Sequence, residues 1–136
     1  MAASKLSKKL FIKPGQRIAV INAPPEAMAL LRPLPEGVSV TREFEQELEF
    51  MLLFVRNLSE IQKLAPRALK SIEHDAMFWI SYPKQSSKLK SDITRDVGWN
   101  IVEAAGLEGV AQVAIDETWS ASRFRPRELV GKGRRS

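Results

Sequence analysis

The sequence predicts an α/β fold on a mainly parallel sheet, and three observations lead there. Short unbroken apolar runs, Ile18-Ala19-Val20-Ile21 and Met51-Leu52-Leu53-Phe54-Val55, have the composition of strands buried on both faces. They alternate with segments of helical period, clearest in Ile61, Leu64, Ala65, Ala68, Leu69 and Ile72. The final apolar stretch, Val110 to Phe124, lacks that period and reads as two antiparallel strands.

Taken in order, Lys13-Pro14-Gly15-Gln16 is a turn into a first strand over Arg17 to Ala23. Pro24 and Pro25 end it, and Glu26 to Leu31 forms a short helix that Pro33-Leu34-Pro35 stops. Gly37 turns the chain into a second strand, Val38 to Arg42, followed by an acidic loop over 43–49. Leu48 to Val55 is the third strand. Ser59-Glu60-Ile61-Gln62 matches a capping box, so a helix starts there, with a kink or restart expected at Pro66. His74 and Asp75 form a turn before a fourth strand, Ala76 to Tyr82. A polar loop, Pro83 to Lys90, leads to a second long helix over Asp92 to Ala105, closed by Gly106. The last two strands join near Asp116-Glu117-Thr118. Such alternation implies right-handed crossovers and helices on both sheet faces, a Rossmann-like three-layer sandwich of six strands ending in an antiparallel hairpin.

A chain of 136 residues has room for one core. The expected division is a single α/β domain over 14–126, flanked by basic tails at 1–13 and 127–136. The net charge of +5 suggests a polyanion partner until the charges are located. Lys5, Lys8, Lys9 and Lys13 give the first tail +4; Arg127, Lys132, Arg134 and Arg135 against Glu128 give the second +3, leaving the body at −2. Nucleic-acid binding is therefore expected only through the tails. No apolar run approaches the roughly 18–20 residues of a membrane span, and a cytoplasmic location is expected. Without cysteine there is no thiolate nucleophile or disulfide, and with His74 as the sole histidine no metal site is expected.

In an open doubly wound sheet, ligands sit outside the carboxyl ends of the strands, and the loop after the first strand holds the cofactor. Here that loop is Asn22 to Glu26. It has no glycine, and Pro24 and Pro25 remove two amides that a phosphate or amino-acid group would use. No cofactor is expected in that pose. Glu43 stands at the spacing of a ribose-binding acid, but within a run with Glu45, Glu47 and Glu49 that also reads as a solvated loop.

The loop after the fourth strand is richer. Tyr82, Lys84, Ser86 and Ser87, with Asp92 and Arg95 at the following helix start, are the candidate ligand-binding residues for an anionic small molecule. The competing reading is a polar loop with Ser91 or Asp92 as a helix cap. On that helix Trp99 falls on the polar side with Asp92, Arg95, Asp96 and Glu103. It needs cover from a neighbouring segment such as the last hairpin, or from a second subunit or protein partner, which makes it the interface candidate. No G-x-S-x-G elbow is present, and Asp116 and Glu117 read as turn residues rather than paired acids.

Three segments carry a family resemblance: Ile12-Lys13-Pro14-Gly15-Gln16-Arg17 with Asn22-Ala23-Pro24; Tyr82-Pro83-Lys84 with Ser86-Ser87 and Asp92-Ile93-Thr94-Arg95-Asp96; and Asp116-Glu117-Thr118-Trp119-Ser120 with Arg123-Phe124-Arg125-Pro126. Together they resemble the bacterial domain of unknown function 3052 family across nearly all of the chain outside the tails. That resemblance implies a class and brings no catalytic residues. More distantly, the strand plan looks like a shortened S-adenosylmethionine-dependent methyltransferase, which implies strand order 2-1-3-4-6-5 with one strand-helix unit missing. The expected function is a non-catalytic or regulatory ligand- or protein-binding module on a degenerate scaffold of that kind. An anion-binding enzyme or sensor and a tail-mediated nucleic-acid binder are the alternatives.

Overall fold

A computed structural model describes residues 3–94 and 96–131. The strands are β1 (Arg17–Ile21), β2 (Ser39–Thr41), β3 (Leu48–Phe54), β4 (Ile72–Pro83), β5 (Leu107–Ala114) and β6 (Trp119–Pro126). The helices are α1 (Lys5–Lys9), α2 (Pro25–Leu31), α3 (Leu58–Ser71) and α4 (Asn100–Ala104). One sheet runs β2-β1-β3-β4-β6-β5. The pairs among β2, β1, β3 and β4 are parallel; β6 is antiparallel to both β4 and β5. This is the Rossmann-like order and hairpin expected from the sequence. No described helix is long and apolar enough to cross a membrane.

Alternation along each strand divides the core in two. Ala19, Ile21, Met51, Leu53, Phe78, Ile80 and Phe124 meet Ile61, Ala65 and Ala68 of α3 and Val102 of α4. Ile18, Val20, Phe50, Leu52, Phe54 and Trp79 meet Leu6 of α1 and Ala27 and Leu31 of α2. α3 keeps Lys63, Arg67 and Lys70 in water and carries Pro66 inside its span without ending. Its start differs from expectation. Asn57 caps it, accepting from the Glu60 amide at 2.9 Å, and Glu60 accepts from the Arg56 amide at 2.7 Å. The capping pair thus lies two residues before Ser59 and Gln62, where the chain leaves β3, with Glu60 reaching past the cap to the Arg56 amide.

The N-terminal basic segment is a second correction. Leu6, Leu10 and Ile12 are buried, the Ser7 hydroxyl donates to the Leu31 carbonyl at 2.8 Å, and the Trp79 indole N–H donates to the Leu10 carbonyl at 3.1 Å. Residues 4–12 therefore belong to the body. Helical spacing of Leu6 and Leu10 turns an apolar edge to the sheet while Lys5, Lys8 and Lys9 stay outside. The C-terminal tail begins as a 3₁₀ turn, Arg127–Leu129; 132–136 lie outside the described residues.

The long helix expected over Asp92 to Ala105 shrinks to the five residues of α4. Local side-chain bonds win over helix. The Ser91 hydroxyl takes the Ile93 amide at 3.0 Å, and the Thr94 hydroxyl takes those of Asp96 and Val97 at 3.2 and 3.1 Å. Gly98 then adopts φ +113, and a Cβ there would stand 2.9 Å from Leu58 Cδ2. The turn expected at His74 and Asp75 is a distortion within β4, with Asp75 at φ +58 where the β3–β4 register shifts. Asp75 receives Arg125 at 2.9 and 3.2 Å. That hydrogen bond raises the Arg125 guanidinium above its ordinary value against the opposing effect of burial.

Because Leu10 is fully buried, Leu10→Ala is expected to lower unfolding free energy by about 2–5 kcal/mol, read in urea denaturation. A solvated tail would leave the midpoint unchanged.

Candidate functional site

The carboxyl ends of β1, β2 and β3 converge where a doubly wound sheet holds its ligand. Asn22, at φ +62, turns the chain out of β1 into the two prolines. Its Nδ2 donates to the Phe54 carbonyl at 2.9 Å and to Glu60 at 3.3 Å. A single side chain thus ties the end of β1 to the end of β3 and to the first turn of α3. Arg42, just past β2, reaches the Ala23 carbonyl at 3.5 Å. Thr41 donates to Glu45 at 2.7 Å, and Glu45 also pairs with Arg17. Glu43 is exposed, its amide bonded to the Thr41 hydroxyl at 3.2 Å. Arg67 of α3 lies 4.6 Å from the Phe44 ring centroid and pins this acidic loop.

The first turn of α3 would be the other natural anion site, since its amides have no helical partner. Two of them are occupied by the chain itself. Asp92 accepts from the Leu58 amide at 2.7 Å, alongside the Asn57 cap on Glu60. A carboxylate from a loop 34 residues away stands where a bound anion would.

The fourth-strand residues do not form one cluster. Tyr82 is buried and its phenol receives the Gln112 side-chain amide, toward β5. Asp92 faces α3 instead. The Lys84 amide donates to the Thr118 carbonyl at 2.8 Å, while the Ser87 hydroxyl is taken up by the Lys84 and Leu89 carbonyls at 2.8 and 3.2 Å. Ser86 is exposed, and Arg95 lies outside the described residues. The helix start invoked at Asp92 is absent, so its amides are not presented there. Trp99 is covered from within the chain. Its ring packs 5.3 Å from Tyr82 and 5.1 Å from Phe124 of the last hairpin, and its N–H donates to the Thr94 carbonyl at 3.0 Å.

The residues that close the strand ends were visible as types but not as partners. Asn57-x-x-Glu60 is a capping signal as good as Ser59-x-x-Gln62, and only β3's end selects it. The pairing of Asp92 with Leu58 has no local signal.

A six-stranded sheet of this order, helices on both faces and a terminal antiparallel hairpin, defines a Rossmann-like, methyltransferase-like fold. Among solved structures, a SAM dependent methyltransferase from Aquifex aeolicus has this fold, with TM-score 0.55 and 13% identity over 88% of this chain and 87% of that one. No family model matches the chain, and no curated protein is detectably similar in sequence.

Asp92→Ala is expected to cost about 0.5–2 kcal/mol, read as a lower urea midpoint, because the Leu58 amide loses its acceptor. Asp92→Asn retains an acceptor oxygen and recovers most of the loss. A wild-type midpoint in Asp92→Ala would deny Asp92 this role.

Proposed function

We propose that the protein is a non-catalytic binding module carried on a methyltransferase-like sheet. The observation that carries the reading is the closure of the strand-end crevice by the protein's own groups. Asn22, Glu60, Asn57 and Asp92 consume the polar atoms that would otherwise face a ligand there.

The residues do not fit S-adenosylmethionine, the cofactor that the neighbouring structure's description would suggest. Close approach to the first loop needs bare backbone and free amides; Pro24 and Pro25 supply neither. The ribose would need a carboxylate turned into the crevice, whereas Arg42 stretches across from β2 to Ala23. Opening the site means breaking the Asn22 bonds to Phe54 and Glu60 together, since one amide group makes both. A scaffold retained without that crevice is suited to presenting surfaces and loops rather than to methyl transfer.

Thermal unfolding with S-adenosylmethionine and S-adenosylhomocysteine tests this. At about 1 mM, a ligand of roughly 10 μM affinity would stabilise the protein by about 2.7 kcal/mol and raise Tm by several degrees. The expected shift is within measurement error for both. A shift of several degrees, with transfer of labelled methyl to any acceptor, would replace this reading with an enzymatic one.

A further inference from the structure

The outer side of the layer formed by α1 and α2 carries charge that the chain leaves unpaired. Lys5, Lys8, Lys9 and Lys13 are exposed while Leu6, Leu10 and Ile12 between them are buried, so the folded segment turns each of its cations outward. The Ser4 and Ser7 hydroxyls both donate to the Leu31 carbonyl at 2.8 Å, which sets the exposed Arg32 beside the start of α1. Arg17, Arg56, Arg125 and Arg127 each meet a carboxylate, but none of the five cations of this layer does so among the described residues. Lys9 reaches the Ala114 carbonyl at 3.0 Å, a partner that leaves its charge uncompensated. Residues 4–13 and 24–33 hold five cations and one acid, Glu26.

Phe11 is an independent mark on the same side. At the end of α1 the Ile12 amide donates to the Ser7 carbonyl at 3.0 Å and the Phe11 amide to the Lys8 carbonyl at 3.1 Å, a Schellman arrangement whose left-handed residue is ordinarily glycine. Here that residue is Phe11, at φ +63 and 50% exposed. A bulky residue in this conformation costs stability, and a ring left half in water returns little of it. Leu30, on the side of α2 away from buried Ala27 and Leu31, is 43% exposed.

We propose that this layer docks on an anionic phospholipid surface, with Phe11 and Leu30 entering the acyl boundary and the lysines and Arg32 meeting the headgroups. Attachment without spanning takes two signals, apolar insertion and basic charge, and both stand on this one side. Lysine stems suit the task because they lay methylenes along the boundary and keep the ammonium among the headgroups. Nucleic acid fits less well. A duplex contacted through its phosphates has no use for the ring, and a single strand is held in a basic groove with successive rings for its bases. Phe11 is the one aromatic among residues 1–43, and the concavities beneath α4 and beside His74 are lined by other segments.

The surface goes beyond the closed strand ends and does not depend on them, so methyl transfer found in the ligand test would leave it in place. Co-sedimentation of the full-length chain with phosphatidylcholine vesicles containing about one-third phosphatidylserine tests it, with pure phosphatidylcholine vesicles as the contrast and a single-stranded oligonucleotide as competitor. The chain is expected to pellet with the anionic vesicles, to stay in solution with the neutral ones, and to be released by about 0.5 M sodium chloride. The oligonucleotide at equal phosphate is expected to leave it on the vesicles. Phe11→Gly is the decisive variant, since glycine relaxes the left-handed turn. It is expected to keep or raise Tm while binding about tenfold more weakly. Lys8→Gln with Lys13→Gln is expected to lose a similar factor at unchanged Tm, whereas neutralising Lys132, Arg134 and Arg135 leaves binding as it was. No pelleting, equal binding to both vesicles, release by the oligonucleotide, or loss of binding on neutralising those three would overturn the surface. Wild-type affinity or a lower Tm in Phe11→Gly would overturn it as well.

Discussion

A central strand without a solvent face must be covered twice, and β4 imposes that demand on this fold. Ala76 to Pro83 are eight consecutive buried residues, so every second side chain needs an apolar layer on each side. On one face α3 supplies only part of the cover. α4 and the loop before it supply the rest by laying Trp99 over Tyr82 and Phe124. On the other face α1 is drawn in, because Trp79 is too large to leave bare and its indole N–H needs an acceptor. The Leu10 carbonyl is that acceptor.

The same strand reverses the direction of the sheet, with β3 parallel on one side and β6 antiparallel on the other. At the carboxyl ends of the parallel half, Asn22, Asn57, Glu60 and Asp92 bond within the chain. The antiparallel half carries a two-stranded extension that only a short helix and a loop cover. A concavity lies there, lined in part by Gly109, Ser122 and Phe124.

Strand positions were legible because buried parallel strands advertise themselves as unbroken apolar runs, and a terminal stretch without helical period could only extend the sheet; their order was implied by the methyltransferase resemblance. The acidic loop was legible for its charge, though its attachment through Phe44 and Arg67 was not. Three readings failed for one reason: each took a local preference as decisive. Ser59-x-x-Gln62 and Asn57-x-x-Glu60 compete on equal local terms. The lysines of the first segment obscured the Leu6 and Leu10 spacing. The periodicity over Asp92 to Ala105 is real, but Ser91, Thr94 and Gly98 divert the backbone from it. The candidate site was least legible, since Tyr82 and Asp92 are close in sequence yet serve different elements.

What the sequence by itself determined is the sheet: runs of β-branched and aromatic residues, the prolines after the first strand and the glycine-poor turn follow from composition at adjacent positions. It also determined that the first loop offers few amides, because proline lacks the N–H wherever it is placed. Only the tertiary structure decided which groups meet. Asn22 with Phe54 and Glu60, Leu58 with Asp92, and Trp79 with Leu10 are separated by 32, 38, 34 and 69 residues. Bonds over such distances carry no periodic signature. They are selected by burial, which forces each polar group in the packed layers to find whatever partner the completed fold brings within reach.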